Sequence, residues 1–251
     1  MEERKRAKVL TARLDVLGWN EVLRQISEWG ARRESRYVVI CNAHSVVTCG
    51  QDRAFGEVVL GADMVTPDGA PVAWMMRRLG HAGQQRINGP DLMWKYCEQA
   101  NGRDESIYLY GGMPETLELL QRRLRASFPA LKIAGAWSPP YRALTPAEDA
   151  EAVERINDSG AATVWVSLGC PKQEAWMAAH RGRVHGVMIG VGAAFDYHAG
   201  TIVRAPQWMQ NAGLEWFQRL CSEPRRLWRR YLVTNTWFVI GALKQLIFRV
   251  A

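Results

Sequence analysis

No Cys-x-x-Cys pair occurs in this chain, and no histidine cluster stands at zinc-ligand spacing. Five cysteines, Cys41, Cys49, Cys97, Cys170 and Cys221, are scattered singly. That odd, unpaired set speaks against a disulfide scaffold and fits a reducing compartment. A dinucleotide fingerprint is also missing, because Gly190-Val191-Gly192-Ala193-Ala194-Phe195 ends in Phe where the third small residue belongs. No Asp-x-Asp occurs, so a diphosphate held through a divalent cation on paired carboxylates is not expected, and no metal site is assigned. The charged start, Met1 to Arg6, leads into a segment without a signal peptide's apolar core, and the expectation is a chain that stays in the cytoplasm. No apolar run reaches the roughly 20 residues that a membrane span needs. Low-complexity linkers and fixed-period repeats are absent as well, which makes one α/β domain over residues 1–199 the simplest division.

What is present is a 251-residue chain, 48% hydrophobic and 23% charged, with ample core material. A net charge of +7 and eleven Trp point to an anionic partner: nucleic acid, a phosphorylated substrate or an anionic membrane surface. Val9 to Leu17 alternates in part like a strand, Asn20 to Arg33 has helical spacing, and Tyr37 to Cys41 is a compact apolar strand. Strand and helix alternate from there to Ile189, with Thr145-Pro146-Ala147-Glu148 forming a capping box. The order predicts a mostly parallel, Rossmann-like α/β sheet with helices on both faces.

The junctions carry the chemistry. Asp68 closes a short apolar strand ending in Thr66-Pro67 and precedes Gly69 and Pro71, which open a helix. A carboxylate at the carboxyl end of such a strand is placed to take a proton from a bound hydroxyl, or else to cap the helix. Gly111 and Gly112 let a loop approach a phosphate closely, or simply make a tight turn. Gly169-Cys170-Pro171-Lys172-Gln173-Glu174 aims a helix N-terminus and a lysine at the same kind of crevice. Asp196 and Arg204 follow the last strand and either line the site or pair with each other. In the last fifty residues, helical projection puts Arg225, Arg226, Arg229 and Arg230 at about 0°, 100°, 40° and 140°, with Leu227, Trp228, Tyr231 and Leu232 at about 200°, 300°, 240° and 340°. This predicts a two-faced helix within a 200–251 appendage, either packed on the core with a solvated basic face or lying on anionic lipid.

Taken together, these motifs resemble the WecG/TagA/CpsF family of bacterial glycosyltransferases, glycosyltransferase family 26. The likeness runs from about Tyr37 to Tyr231. It rests on Asn42, Ala62-Asp63 through Asp68-Gly69, Arg86-Ile87-Asn88-Gly89-Pro90-Asp91-Leu92, Gly111-Gly112, Gly169 to Glu174, Gly190 to Asp196 with Gly192, Arg204-Ala205-Pro206, and Glu215-Trp216 with the arginine-rich end. The resemblance implies transfer of a hexose or N-acetylhexosamine from a UDP-sugar to an undecaprenyl-diphosphate-linked sugar, with inversion, without a required metal or other cofactor, at the inner face of the plasma membrane. Asp68 then matches the general base. Asn42, Arg86 and Gln173 match active-site polar residues, and Arg219, Arg226 and Arg229 match appendage arginines that close over the diphosphate. The chain departs from many members at Ile40, where they carry Thr, and at Pro140-Tyr141, where they carry Gly-Tyr; Tyr141 is carried over as a donor contact. A nucleic-acid-binding protein, a non-catalytic membrane scaffold and a soluble UDP-sugar enzyme are the alternatives. No nucleic-acid motif is present, so nucleic acid is not an expected partner, while packing of the apolar tail on a second copy stays open.

Overall fold

The computed structural model describes residues 4–248; the side chains of Asn211, Arg226 and Arg230 lie outside the described set. Two of the expected anion-binding arginines, Arg226 and Arg230, are therefore not placed. The elements in order are β1 (Arg6–Val9), β2 (Ala12–Asp15), α1 (Trp19–Ala31), β3 (Arg36–Cys41), α2 (Ala43–Gln51), α3 (Arg53–Leu60), β4 (Met64–Pro67), α4 (Ala70–Arg78) and α5 (Gly89–Ala100). They continue with β5 (Ser106–Gly111), α6 (Pro114–Ser127), β6 (Lys132–Trp137), α7 (Pro146–Asp158), β7 (Thr163–Ser167), α8 (Lys172–His180), β8 (Val187–Gly190), α9 (Ala194–Ala199), α10 (Gln207–Asn211), α11 (Glu215–Ser222) and α12 (Pro224–Phe248).

The main sheet has six strands in the order β4-β3-β8-β7-β5-β6. The pairs β3–β8, β8–β7, β7–β5 and β5–β6 are parallel, as the strand–helix alternation predicts. Strands β3, β5, β7 and β8 are buried along nearly their whole length, which explains why they read as continuous apolar runs without polar alternation. At the edge, β6 is only half-buried. The capping box forms as expected: Glu148 N–H donates to Thr145 Oγ1 at 3.3 Å and Thr145 N–H to Glu148 Oε2 at 2.8 Å. Hydrogen bonds from Arg142 and from Thr145 hold the Glu148 carboxyl down at about 2.

The segment Val9 to Leu17 is not one strand. β1 and β2 form a separate antiparallel hairpin, Val9 opposite Ala12, with the reversal at Leu10, whose φ is +54°. Its inner face of Ala7, Val9, Ala12 and Leu14 is buried, which produced the partial alternation in the sequence. Asp15 fixes the hairpin by accepting from Arg4, from Arg6 and, at 2.7 Å, from Val65 N–H.

Contacts divide the chain into two compact units. The first holds residues 1–18, 40–88 and 203–251, and the second residues 19–39 and 89–202. In the first unit α12 is a single helix of 25 residues packed on α2 and on the hairpin. Gln245 accepts from Leu10 N–H at 2.8 Å and donates to the Lys8 carbonyl at 2.7 Å. The buried stripe of α12 is Leu227, Thr234, Phe238, Ala242 and Gln245. On the same angular scale these residues span about 180–260°. Trp228 and Leu232, expected on the packed face, fall outside that arc and are 48% and 63% exposed. No helix of the described residues is long and apolar enough to cross a membrane.

Candidate active site

In the first unit the site grows from the carboxyl ends of β3 and β4. Asp68 N–H donates to the Cys41 carbonyl at 2.9 Å, which fixes the residue after β4 against the end of β3. Ile87 N–H donates to the Pro67 carbonyl at 2.9 Å, and this bond brings Arg86 alongside Asp68. The N-cap of α4 is Gly69, with φ +82° and no side-chain cap, so the Asp68 carboxylate is not consumed in capping. Arg86 Nε lies 3.6 Å from Asp68 Oδ1, beyond hydrogen-bond length. Burial pushes the Asp68 carboxyl above the usual range; Arg86 pulls it down, Glu215 pushes it up, and the Gly69 N–H and Arg219 pull it down. A raised carboxylate is a better proton acceptor at neutral pH than an ordinary one.

Asn42 caps α2: its Oδ1 accepts from Ser45 N–H at 3.1 Å. Cationic groups gather around Glu215, the first residue of α11. Arg86 Nη2 pairs with Glu215 Oε2, and Arg204 Nε with Oε1 at 3.2 Å. Arg204 Nη2 also reaches Asn88 Oδ1 at 3.5 Å. Among the described residues the buried Nε groups of Arg86 and Arg219 have no hydrogen-bond partner, so each has an N–H to offer a ligand. Arg229 is exposed and stands over the Trp228 ring.

In the second unit the expected glycines lie at or just after the ends of β5, β7 and β8. Gly111 and Gly112 have φ of +105° and +73°. A Cβ on Gly111 would lie 2.4 Å from the Ser167 carbonyl oxygen, so that glycine is required by the approach of two strand ends. Gly112 accepts from Ser138 Oγ at 2.6 Å. Gly169, at φ +76°, turns the chain into α8, whose N-cap Pro171 offers no side chain and leaves the helix end open. Lys172 is exposed there, its ammonium 5.1 Å from the centre of the Tyr141 ring, which is itself 98% exposed.

The next two side chains point inward instead. Gln173 and Glu174 are buried; the Gln173 amide donates to Glu174 Oε1 at 3.0 Å and accepts from Gly192 N–H at 3.1 Å. Gln173 thereby fixes the turn after β8. The Gly192 carbonyl accepts from Ser167 Oγ at 2.8 Å, which ties the ends of β7 and β8 together. Asp196 lies in the first turn of α9 and accepts from Thr201 Oγ1 at 3.3 Å, and Asp91 lies in the first turn of α5.

Sequence reasoning gave Glu215 no role beyond a motif. Just before it Gly213, at φ +73°, would place a Cβ 2.6 Å from Ala70 Cβ, so a glycine is needed where the chain crosses the start of α4. Among the described residues, no group of three or more His, Cys, Asp or Glu side chains is arranged to hold a metal ion.

Residues 7–251 match the family model described as the glycosyl transferase WecG/TagA/CpsF family. These are glycosyltransferases of cell-surface polysaccharide biosynthesis, which act on a sugar donor and an acceptor. The match covers essentially the whole chain, and the protein belongs to the WecG/TagA/CpsF glycosyltransferases, glycosyltransferase family 26.

Proposed function

We propose that this glycosyltransferase moves a hexose or N-acetylhexosamine from a UDP-sugar to an undecaprenyl-diphosphate-linked sugar, with inversion and without a metal ion. The observation that carries the reading is Asp68, a carboxylate at a strand's carboxyl end, spared from capping and raised by burial. In the proposed reaction Asp68 takes the proton from the acceptor hydroxyl. The freed oxygen attacks the anomeric carbon from the face opposite UDP, and the bond to the diphosphate breaks.

Each unit, taken by itself, carries groups suited to part of this chemistry. The second supplies glycine turns and an uncapped helix N-terminus suited to a nucleoside diphosphate: Gly111, Gly112, Gly169, Pro171, Lys172 and Gly192. Gln173 and Glu174 shape the turn at Gly192, and Asp91, Tyr141 and Asp196 are proposed to border the donor. From the first come Asn42, Arg86, Arg204 and Arg219, with Arg226, Arg229 and Arg230 of the 200–251 appendage, as anion-binding groups for the acceptor diphosphate.

The appendage is also the proposed contact with the cytoplasmic face of the bacterial inner membrane. Trp237, Ile240 and Leu243 of α12 are all exposed, as an interfacial helix requires.

Asp68→Asn tests the base directly. A positioned base is worth about 10²–10⁴-fold in rate, so the variant should lose that much transfer while still binding UDP by calorimetry. Full activity in Asp68→Asn would overturn the assignment.

A further inference from the structure

Glu215 lies between two of the arginines that this reading gives to substrate. Its carboxylate is shared, one oxygen facing Arg86 and the other Arg204, and all three side chains are about one-fifth exposed. Arg86 is the only described cation in ion-pair range of Asp68, yet its buried Nε stands 3.6 Å off and has no hydrogen-bond partner among the described residues. The Nη2 end of the same guanidinium is turned to Glu215. A guanidinium that was free to form the two-pronged pair with Asp68 would hold that carboxylate ionised and weakly basic.

We propose that Glu215 is a positioning residue of the transfer reaction: by bridging Arg86 and Arg204, it keeps Arg86 from pairing fully with Asp68 and leaves the Asp68 carboxylate available to take the acceptor's proton. The inference rests on the reading of Asp68 as the base. Its support is the geometry of α11: Glu215 is the first residue of that helix, and just before it Gly213 lies so near Ala70 at the start of α4 that a Cβ there would stand 2.6 Å from the Ala70 Cβ. Among the described residues the groups that act on Asp68 are Arg86 from the segment before α5, Glu215 and Arg219 from α11, and the Gly69 N–H at the start of α4. Two are cations and one is an anion. Removing the anion leaves Arg86 and Arg219 unopposed, and both act to lower the Asp68 pKa.

The acid limb of the kcat/KM profile against pH reads this, because it reports the free enzyme's base. In Glu215→Gln, which keeps the shape and loses the charge, the limb should move to lower pH by on the order of one unit. The plateau rate should fall and the donor KM should stay close to wild type. Glu215→Asp should bring the limb back toward its original position. If Glu215 only fastened α11, Glu215→Gln would lower the melting temperature and leave the limb in place. An unmoved limb in folded Glu215→Gln therefore overturns the proposal.

Arg204→Gln provides a second reading should the first variant not fold. Glu215 then loses one of its two cations and acts more strongly on Asp68, so the limb should rise; an unmoved limb again overturns the proposal. Asp68→Asn run in parallel separates the two ideas. An active Asp68→Asn enzyme removes the base itself, whereas an inactive one with an unmoved Glu215→Gln limb defeats only the role of Glu215.

Discussion

Gly111 shows how tightly single positions are set. It combines a φ of +105° with a neighbour, the Ser167 carbonyl, that a methyl group would strike. Gly111→Ala should cost about 1–3 kcal/mol of stability in urea denaturation, because the β5 and β7 ends must move apart, and on the proposed reading it should also weaken UDP binding. An unchanged denaturation midpoint would contradict this. The places of Gly111, Asp68 and Asn42 at the carboxyl ends of strands were legible in the sequence, because such a position can be read locally. The local pattern also left Asp68 open as a helix cap, which the structure answers with Gly69. Glu215 was not legible as a partner of Arg86. The two are 129 positions apart, and no periodicity or propensity encodes a pairing of that kind.

At the scale of elements, α7 and α8 are joined by a buried histidine. His180 Nε2 meets Asp149 Oδ1 at 2.9 Å, Nδ1 meets the Trp176 carbonyl at 2.7 Å, and Arg183 donates to Asp149 Oδ2 at 2.7 Å. Burial pushes the Asp149 carboxyl up, but Arg183 and His180 together hold it below its ordinary range. A carboxyl with a depressed folded pKa contributes stability that is complete above the unfolded value, near 3.9, and is lost as the pH falls through the folded value. Asp149→Asn should therefore lower stability by about 1–3 kcal/mol at pH 7, and the gap from wild type should narrow as the pH falls below about 4. A gap that is constant with pH would refute the ionic part of this account.

The alternation of strands and helices was readable because the parallel strands are buried on both sides and become apolar runs. The hairpin was not, since one residue with positive φ at Leu10 reverses the chain and leaves the alternation on either side intact. The packed arc of α12 was misjudged by two residues because its burial is set by α2 and the hairpin, which are distant in sequence.

For the whole molecule, the charge of +7 and the exposed apolar residues of α12 belong to one question. Trp237, Ile240 and Leu243 are 55%, 41% and 53% exposed, so replacing all three with Ser leaves the buried Leu227, Phe238 and Ala242 in place. The triple variant should stay folded and bind vesicles containing anionic lipid about tenfold or more weakly in a sedimentation assay. Equal binding by both proteins would contradict the membrane role proposed for this face. The central claim concerns the reaction, and its most direct test is UDP release by the purified protein. It would be offered a panel of UDP-sugars with short-chain polyprenyl-diphosphate-GlcNAc or -Glc as acceptor, with and without EDTA. The account predicts release that depends on the acceptor, survives EDTA and singles out one donor. Release that EDTA abolishes, or no release with any pair from protein that binds UDP, would contradict it.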